Sequence, residues 1–354
     1  MITRRNFLVR LSALAAMGSL VAACDSKQED ARLSFLNWQD YIGTDTISAF
    51  EKSSGVKVTY QNYSSNDQLI WMLGQASSQR VTVAGYDLCV PSEHAMLALR
   101  RINLLKDFSA GGIRGIENLT PELQKRTSDP TNAFSVPWAL GTTGIAWDSK
   151  VLSATPDWDV FFDPKLAGKM SLLDESVDGI MIGLLASKLP PNASDATSLQ
   201  TAVATLKKMR QQTTLNSKSY LRDLVSGKLA VAMAYSSDFV IASKLNPNLK
   251  FAIPQSGGLQ WTDCMVVPSK APRPKRAEEF INFVLQPDIS AGISNTAHVN
   301  TGNAAAYNLI APEVRNNPAI FPDATELARA YPLALHDAAA LKRVNDTWSQ
   351  VKSS

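Results

Sequence analysis

The chain has 354 residues, 45% of them hydrophobic and 19% charged, which is enough for two lobes that each enclose a core. Its formal charge of +3 comes entirely from Arg4, Arg5 and Arg10, and residues 24–354 hold equal numbers of basic and acidic side chains. That balance excludes the basic surface that nucleic-acid binding requires. Beyond the first two dozen residues no apolar run reaches the length of a membrane-spanning helix, about 18 residues.

The N-terminus reads as an export signal. Paired arginines in "TRRNFLVR" precede the uncharged, mostly apolar "LSALAAMGSLVAA", and small residues lead into Cys24. The twin arginines resemble a Tat-type signal. "LVAAC" resembles a lipobox, with Cys24 as the lipidated first residue of the mature protein. Residues 1–23 are therefore expected to be cleaved, with 24–31 as a polar tether and the lipid as the membrane anchor. Export permits a disulfide between Cys89 and Cys264, while their apolar surroundings suit buried free thiols, so both states stay open.

Strand and helix patterns then alternate. "RLSFLNW" predicts a strand, "TDTISAFEKSSG" a helix from a threonine start to a glycine stop, and "VKVTYQNY" a second strand. "SSNDQLIWMLGQA" has helical spacing and "YDLCVPS" reads as a third strand. This βαβαβ rhythm implies an α/β lobe with a mainly parallel sheet. A second lobe begins near "VPWALGTTGIAWDSK". It continues through a short strand in "KMSLLD", a helix in "ATSLQTAVATLKKMRQQ" and a helix, glycine stop and strand in "SYLRDLVSGKLAVAMAYSSD". Two strands flank the glycine pair in "LKFAIPQSGGLQWTDCMVVPS", and helices are predicted in "KRAEEFINFVL" and "LHDAAALKRVNDTWSQVK". Trp147 and Trp158 fall at core positions.

Catalytic motifs are absent. His94, His298 and His336 show no metal-ligand spacing, and no CxxC, GxSxG or Walker loop occurs. "GGIRG" at 111–115 is a loop. An enzyme is not expected. What recurs is an aromatic or histidine beside acids or hydroxyls just past predicted strands: Trp38/Asp40/Tyr41, Ser92/His94, Asp174/Glu175/Asp178, Tyr235/Asp238 and Trp261/Asp263. In open α/β sheets ligands gather beyond the carboxyl ends of strands. Ring faces attract cations, carboxylates accept charge-assisted bonds from ammonium groups, and buried carboxylates without a cation are costly. The pattern asks for a cationic ligand. Each residue also has a plainer use: strand-end packing for Trp38, helix capping for Tyr41 or Ser92, and solvated helix starts for Asp178 and Asp238.

Taken together, "NWQDYI", "YDLCVPS", "VPWALGTTGIAWD", "WDVFFDPKLAGKMSLLDE", "QWTDCMVVP", "AEEFINFVLQPDIS" and "NTGNAAA" resemble the polyamine (spermidine/putrescine)-binding proteins of bacterial ABC importers, from Leu33 to about Ala306. The resemblance implies an α/β type II periplasmic-binding-protein fold with a hinge. Lobe one would hold 32–140 plus 262–308, and lobe two 141–261 plus 309–354. It implies a monomer without cofactor or metal that hands a di- or polyamine to an ABC permease. Trp38, Tyr41, Tyr235 and Trp261 would be aromatic walls. Ser92 would be a polar contact and His94 a rim residue, and Glu175, Asp178, Asp238 and Asp263 would hold amino groups. The sequence departs from the family at His94 and Val299, where tyrosines are usual, and at Tyr235, where tryptophan is. A late glutamine has no counterpart near Leu335. Another small cationic or amino ligand, or a sensing role beside a membrane partner, remains an alternative.

Overall fold

A computed structural model describes residues 31–77, 85–333 and 337–353. The expected signal, the Cys24 lipobox, all but the last residue of the tether, Leu335 and His336 lie outside these residues. Strand β1 (Arg32–Trp38) pairs in parallel with β2 (Lys57–Tyr63), from Arg32 against Lys57 to Trp38 against Tyr63. On its other side it pairs in parallel with β3 (Leu88–Cys89), giving the order β2-β1-β3. Leu33, Phe35 and Leu36 are all fully buried, as expected of a parallel strand covered on both faces.

The connection from β1 to β2 is helix α1 (Thr46–Ser54), which stops where Gly55 takes φ 73° and donates to the Glu51 carbonyl at 2.9 Å. Helix α2 (Asn66–Ser77) follows β2, and α3 (Glu93–Arg101) follows β3. Strand β3 is shorter than its apolar run suggests. Its end leaves the sheet to exchange hydrogen bonds with Val266, at 3.0 and 2.8 Å. The short β4 (Leu105–Lys106) completes this half of the chain.

Strand β5 (Val136–Asp148) is a single span of 13 residues. After it come β6 (Met170–Leu172), α4 (Ser176–Ala186), α5 (Ala196–Arg210), β7 (Thr213–Leu215), α6 (Tyr220–Val225), β8 (Val231–Tyr235), α7 (Ser236–Leu245) and β9 (Leu249–Ala252). Strand β10 (Gly258–Met265) runs antiparallel to the first part of β5, while β8 and β9 flank its second part. The chain returns through β11 (Val267–Pro268), which pairs with β4, and then α8 (Pro274–Val284) and α9 (Pro287–Ala297). Strand β12 (Ala330–Pro332) adds to β10, and the terminal helix α10 (Ala338–Lys352) packs on α4 and α5. The second sheet has the order β12-β10-β5-β8-β6-β7, with β9 beside β5.

The first sheet is parallel, as the sequence rhythm implies. The second is mixed because β5 runs antiparallel to β10, β8 and β9, while β10–β12, β6–β7 and β6–β8 pair in parallel. The register of β5 and β10 shifts between Asp263 and Cys264, where Trp138 is an unmatched residue of β5, a bulge that re-aims the side chains on either side of it. Trp147 and Trp158 are core residues, with Trp158 Nε1 donating to the Gly257 carbonyl at 2.8 Å. Cys89 and Cys264 are free thiols with no exposed surface.

Candidate functional site

The first half of the site is built at the end of β1. Asn37 is fully buried, and its side chain folds the following turn. Its Oδ1 accepts from Trp38 N–H at 2.9 Å and its Nδ2 donates to the Tyr41 carbonyl at 3.1 Å. Asp40 takes the left-handed φ of 53° that closes this turn. The Tyr41 hydroxyl then donates to Asp263 Oδ2 at 2.9 Å. Trp38 is half-buried, with Nε1 donating to the Val90 carbonyl at 2.9 Å and its ring 4.5 Å from that of Tyr63.

Ser92 occupies the N-cap position of α3 without a side-chain capping bond. Its hydroxyl serves the site instead. The residue lies beside Asp263 across an isolated antiparallel bridge and hydrogen-bonds to its carboxylate. His94 follows in the first turn of α3, half-buried. Glu93 forms an ion pair with the buried Arg126 guanidinium at 3.0 Å.

The second half is built at two helix starts and the crossing strands. Glu175 is the N-cap residue of α4, and Asp178, 5% exposed, lies in the first turn of that helix and accepts from Thr143 Oγ1 at 3.3 Å. Asp238 lies in the first turn of α7 and accepts a short hydrogen bond from the Tyr220 hydroxyl. Tyr235, the N-cap of α7, stands edge-on to Trp261 with ring centroids 6.2 Å apart. The Trp261 ring lies so close over Gly141 that a Cβ there would be 2.1 Å from it. Asp174, the third acid of its stretch, has a structural use. It accepts from Trp348 Nε1 at 3.1 Å and from Lys352 Nζ at 3.0 Å.

Electrostatics unite the two halves. Burial pushes the Asp263 carboxyl up to about 7; hydrogen bonds from Ser92 and Tyr41 oppose this, while Asp178 and Glu93 add to it. Burial raises Asp178 to about 6 against the Thr143 hydrogen bond. Glu175 is raised to about 8 by burial, then by Asp178, Asp67 and Asp174. Asp238 is raised by burial and by Asp40, against the Tyr220 hydrogen bond. A helix N-terminus favours negative charge, yet desolvation outweighs that benefit here. The leading influences on Asp263, Asp178 and Asp238 are burial, hydroxyl donors and other acids, and Lys352 tempers Glu175.

Sequence reasoning missed Asp67, in the first turn of α2, and named Asp40 in the first aromatic–acid cluster without counting it among the acids that hold amino groups. Both bring negative charge from the first half toward the second. It also missed Asn66, Thr143 and Tyr220, whose polar atoms face the site only after folding. Among the described residues no group of three or more His, Cys, Asp and Glu side chains is arranged to hold a metal ion. A separate groove of about 540 Å³ lies on the outer face of the first half, between Phe50, Arg114, Arg276 and Phe283.

Residues 45–322 match the family model described as bacterial extracellular solute-binding protein. The chain belongs to this family. It is 31% identical to the putrescine-binding periplasmic protein PotF of Escherichia coli, over 99% of this chain and 98% of that one. It is 29% identical to the putrescine-binding periplasmic protein SpuD of Pseudomonas aeruginosa, over 99% of each. Among solved structures, the TpPotD lipoprotein of Treponema pallidum superposes with a TM-score of 0.78 at 25% identity, covering 90% of this chain and 99% of that one. The spermidine/putrescine substrate-binding protein PotD of Streptococcus pneumoniae does so with a TM-score of 0.77 at 25% identity, covering 91% and 98%. The fold is thus the two-lobed type II binding-protein fold. The family consists of extracytoplasmic binding proteins rather than enzymes.

Proposed function

We propose that this solute-binding protein captures a small di- or polyamine of the putrescine or spermidine type between its lobes and delivers it to an ABC permease. The observation that carries this reading is the set Asp263, Asp178, Glu175 and Asp238. These carboxylates come from both lobes, and nearly all of the donors around them are neutral hydroxyls. Such a set is destabilising when empty and ionised, and a ligand carrying two or more ammonium groups removes that penalty. Trp38, Tyr41, Tyr235 and Trp261 would enclose the methylene chain, with ring faces toward the cationic ends. That PotF and SpuD are putrescine-binding proteins supports putrescine as the first ligand to try.

In this reading lobe one is 32–140 plus 262–308 and lobe two is 141–261 plus 309–354. The borders meet in register, since Leu140 pairs with Thr262 and Gly141 with Trp261. Ligand contacts to both lobes would favour the closed state. The protein would act as a monomer held at the membrane by a lipid on Cys24 after Tat-type export, and a Cys24→Ser variant would then be released from the membrane fraction. A different amino compound is the second reading. It is favoured by Val299, which is fully buried core rather than a cleft wall.

Titration calorimetry with putrescine, cadaverine and spermidine tests the assignment. A ligand at 100 times its Kd adds about 2.7 kcal/mol of stability, visible as a rise in Tm. No heat and no thermal shift with any of the three would overturn the amine reading and leave the fold untouched.

A further inference from the structure

Asp263 has a hydrogen-bond environment whose direction is fixed from outside the site. Its neighbour Ser92 is held beside it by the backbone, because the Cys264 N–H donates to the Pro91 carbonyl at 2.9 Å and Ser92 bridges to Asp263. Asn66, the first residue of α2 and 8% exposed, reaches both polar groups of Ser92. The Ser92 N–H donates to Asn66 Oδ1 at 3.2 Å, and Asn66 Nδ2 donates to Ser92 Oγ at 3.2 Å. A backbone N–H can only donate, so it fixes the amide oxygen on its own side and leaves the NH₂ facing the hydroxyl. The Ser92 oxygen is thereby engaged as an acceptor, and its one proton is left for Asp263.

The geometry points to Asn66 as a positioning residue that acts through Ser92. It commits a hydroxyl donor to Asp263 and so sets the pH range in which that carboxylate is an anion ready for an ammonium group. The inference rests on the reading of Asp263 as a ligand-holding acid. The other groups facing Asp263 are Tyr41 from the turn after β1, Tyr63 from β2, Glu93 from α3 with its partner Arg126, and Asp178 from α4. Only Tyr41 among them supplies a second donor to the carboxylate, so withdrawing the Ser92 proton removes half of its hydroxyl support. Hydrogen bonds to an ionised group are strong enough that such a loss raises a carboxyl pKa by about one unit.

The test is a carbon-13 NMR titration of the Asp263 carboxyl in the ligand-free protein. Ser92→Ala and Asn66→Ala should each raise its midpoint by about one pH unit. Asn66→Asp keeps the shape but draws the Ser92 proton to itself, and should raise the midpoint further. In a Ser92→Ala background, Asn66→Ala should add nothing. An unchanged midpoint in Asn66→Ala, or a shift that persists without the Ser92 hydroxyl, overturns the inference. Putrescine affinity gives a second readout. Its low-pH limb should move with the Asp263 midpoint while the alkaline plateau stays, and a uniform loss at every pH would reduce Asn66 to a folding role. If the wild type binds no putrescine, the amine reading fails, and the ligand-free titration still decides the role of Asn66.

Discussion

Two regions of the molecule, the groove beside Phe50 and the acid cluster around Asp263, differ in how their charges are met. The groove of about 540 Å³ beside Phe50 and Phe283 holds Arg276, which is neutralised by Glu279 at 2.8 Å on the same helix. The cleft between the lobes presents four carboxylates with raised pKa values and almost no cation. The same contrast separates two buried aspartates. Asp87 has no exposed surface, yet it accepts from the Ser34 and Arg273 N–H groups at 2.8 and 2.7 Å and pairs with the Arg273 guanidinium at 3.4 Å. Among the described residues, Asp263 is met by the hydroxyls of Tyr41 and Ser92. A charge satisfied by its own chain supports the fold, and a charge left for an outside partner marks a ligand site.

The largest expected effects exchange the roles of those two aspartates. Asp263→Asn should weaken putrescine binding by about 3 kcal/mol, roughly 100-fold, because an ammonium loses its anionic partner. Asp87→Asn should instead cost about 3 kcal/mol of stability by removing the buried anion that the Ser34 and Arg273 groups are arranged to meet, with affinity unchanged once folded. Calorimetry and denaturant melts on both variants would erase the contrast if the outcomes were interchanged.

Protonation should reproduce the first effect in wild-type protein. Asp178, Asp263 and Glu175 have folded-state values of about 6, 7 and 8, above the ordinary 3.8 for aspartate and 4.5 for glutamate. The ligand-free fold therefore binds protons more readily than the unfolded chain, and its stability rises as pH falls from about 8 toward 5. Affinity for a dication should fall over the same range, since the ligand needs the ionised form. Opposite slopes of Tm and of binding with pH are the signature, and parallel slopes would remove these acids from the site.

Smaller effects follow from the walls. Gly141→Ala should cost about 2 kcal/mol of stability, because the Trp261 ring must leave its seat. Tyr235→Ala should lower affinity by about 1 kcal/mol, roughly fivefold, through loss of a ring face near the cation. The smallest change belongs to the groove. Arg276→Ala breaks an exposed ion pair and should alter stability by no more than about 0.5 kcal/mol, leaving amine affinity untouched.

Local features of this fold are legible in the chain because local physics decides them. "RLSFLNW" forms β1 at the expected bounds, and the glycine after "EKSS" ends α1 in the left-handed conformation that glycine tolerates. The acids and aromatics of the cleft also stand out, since each falls just past a predicted strand. Long-range pairing left no such mark. Nothing in "VPWALGTTGIAWD" announces that one strand serves both halves, or that Trp138 is left over where β5 meets β10. Asp40 and Asp67 look like ordinary loop and helix-start acids until folding sets them opposite Asp238 and Glu175. Asp174 could not be told from its neighbours before α10 brought Trp348 and Lys352 to it.

The seat of Trp261 on Gly141 has a mechanical consequence. In the proposed division it lies on the two strands that join the lobes, so the place where the ring rests would be the fulcrum for opening and closing. Asp263 and Thr143 are two residues from it along their strands, and a rotation there moves them through the shortest arc. Asp40 and Asp67, exposed at the mouth, sweep a longer one. A cation arriving in the open protein would meet the inner carboxylates in nearly their final places, and the outer ones would swing in last, as a door closes from its hinge toward its latch.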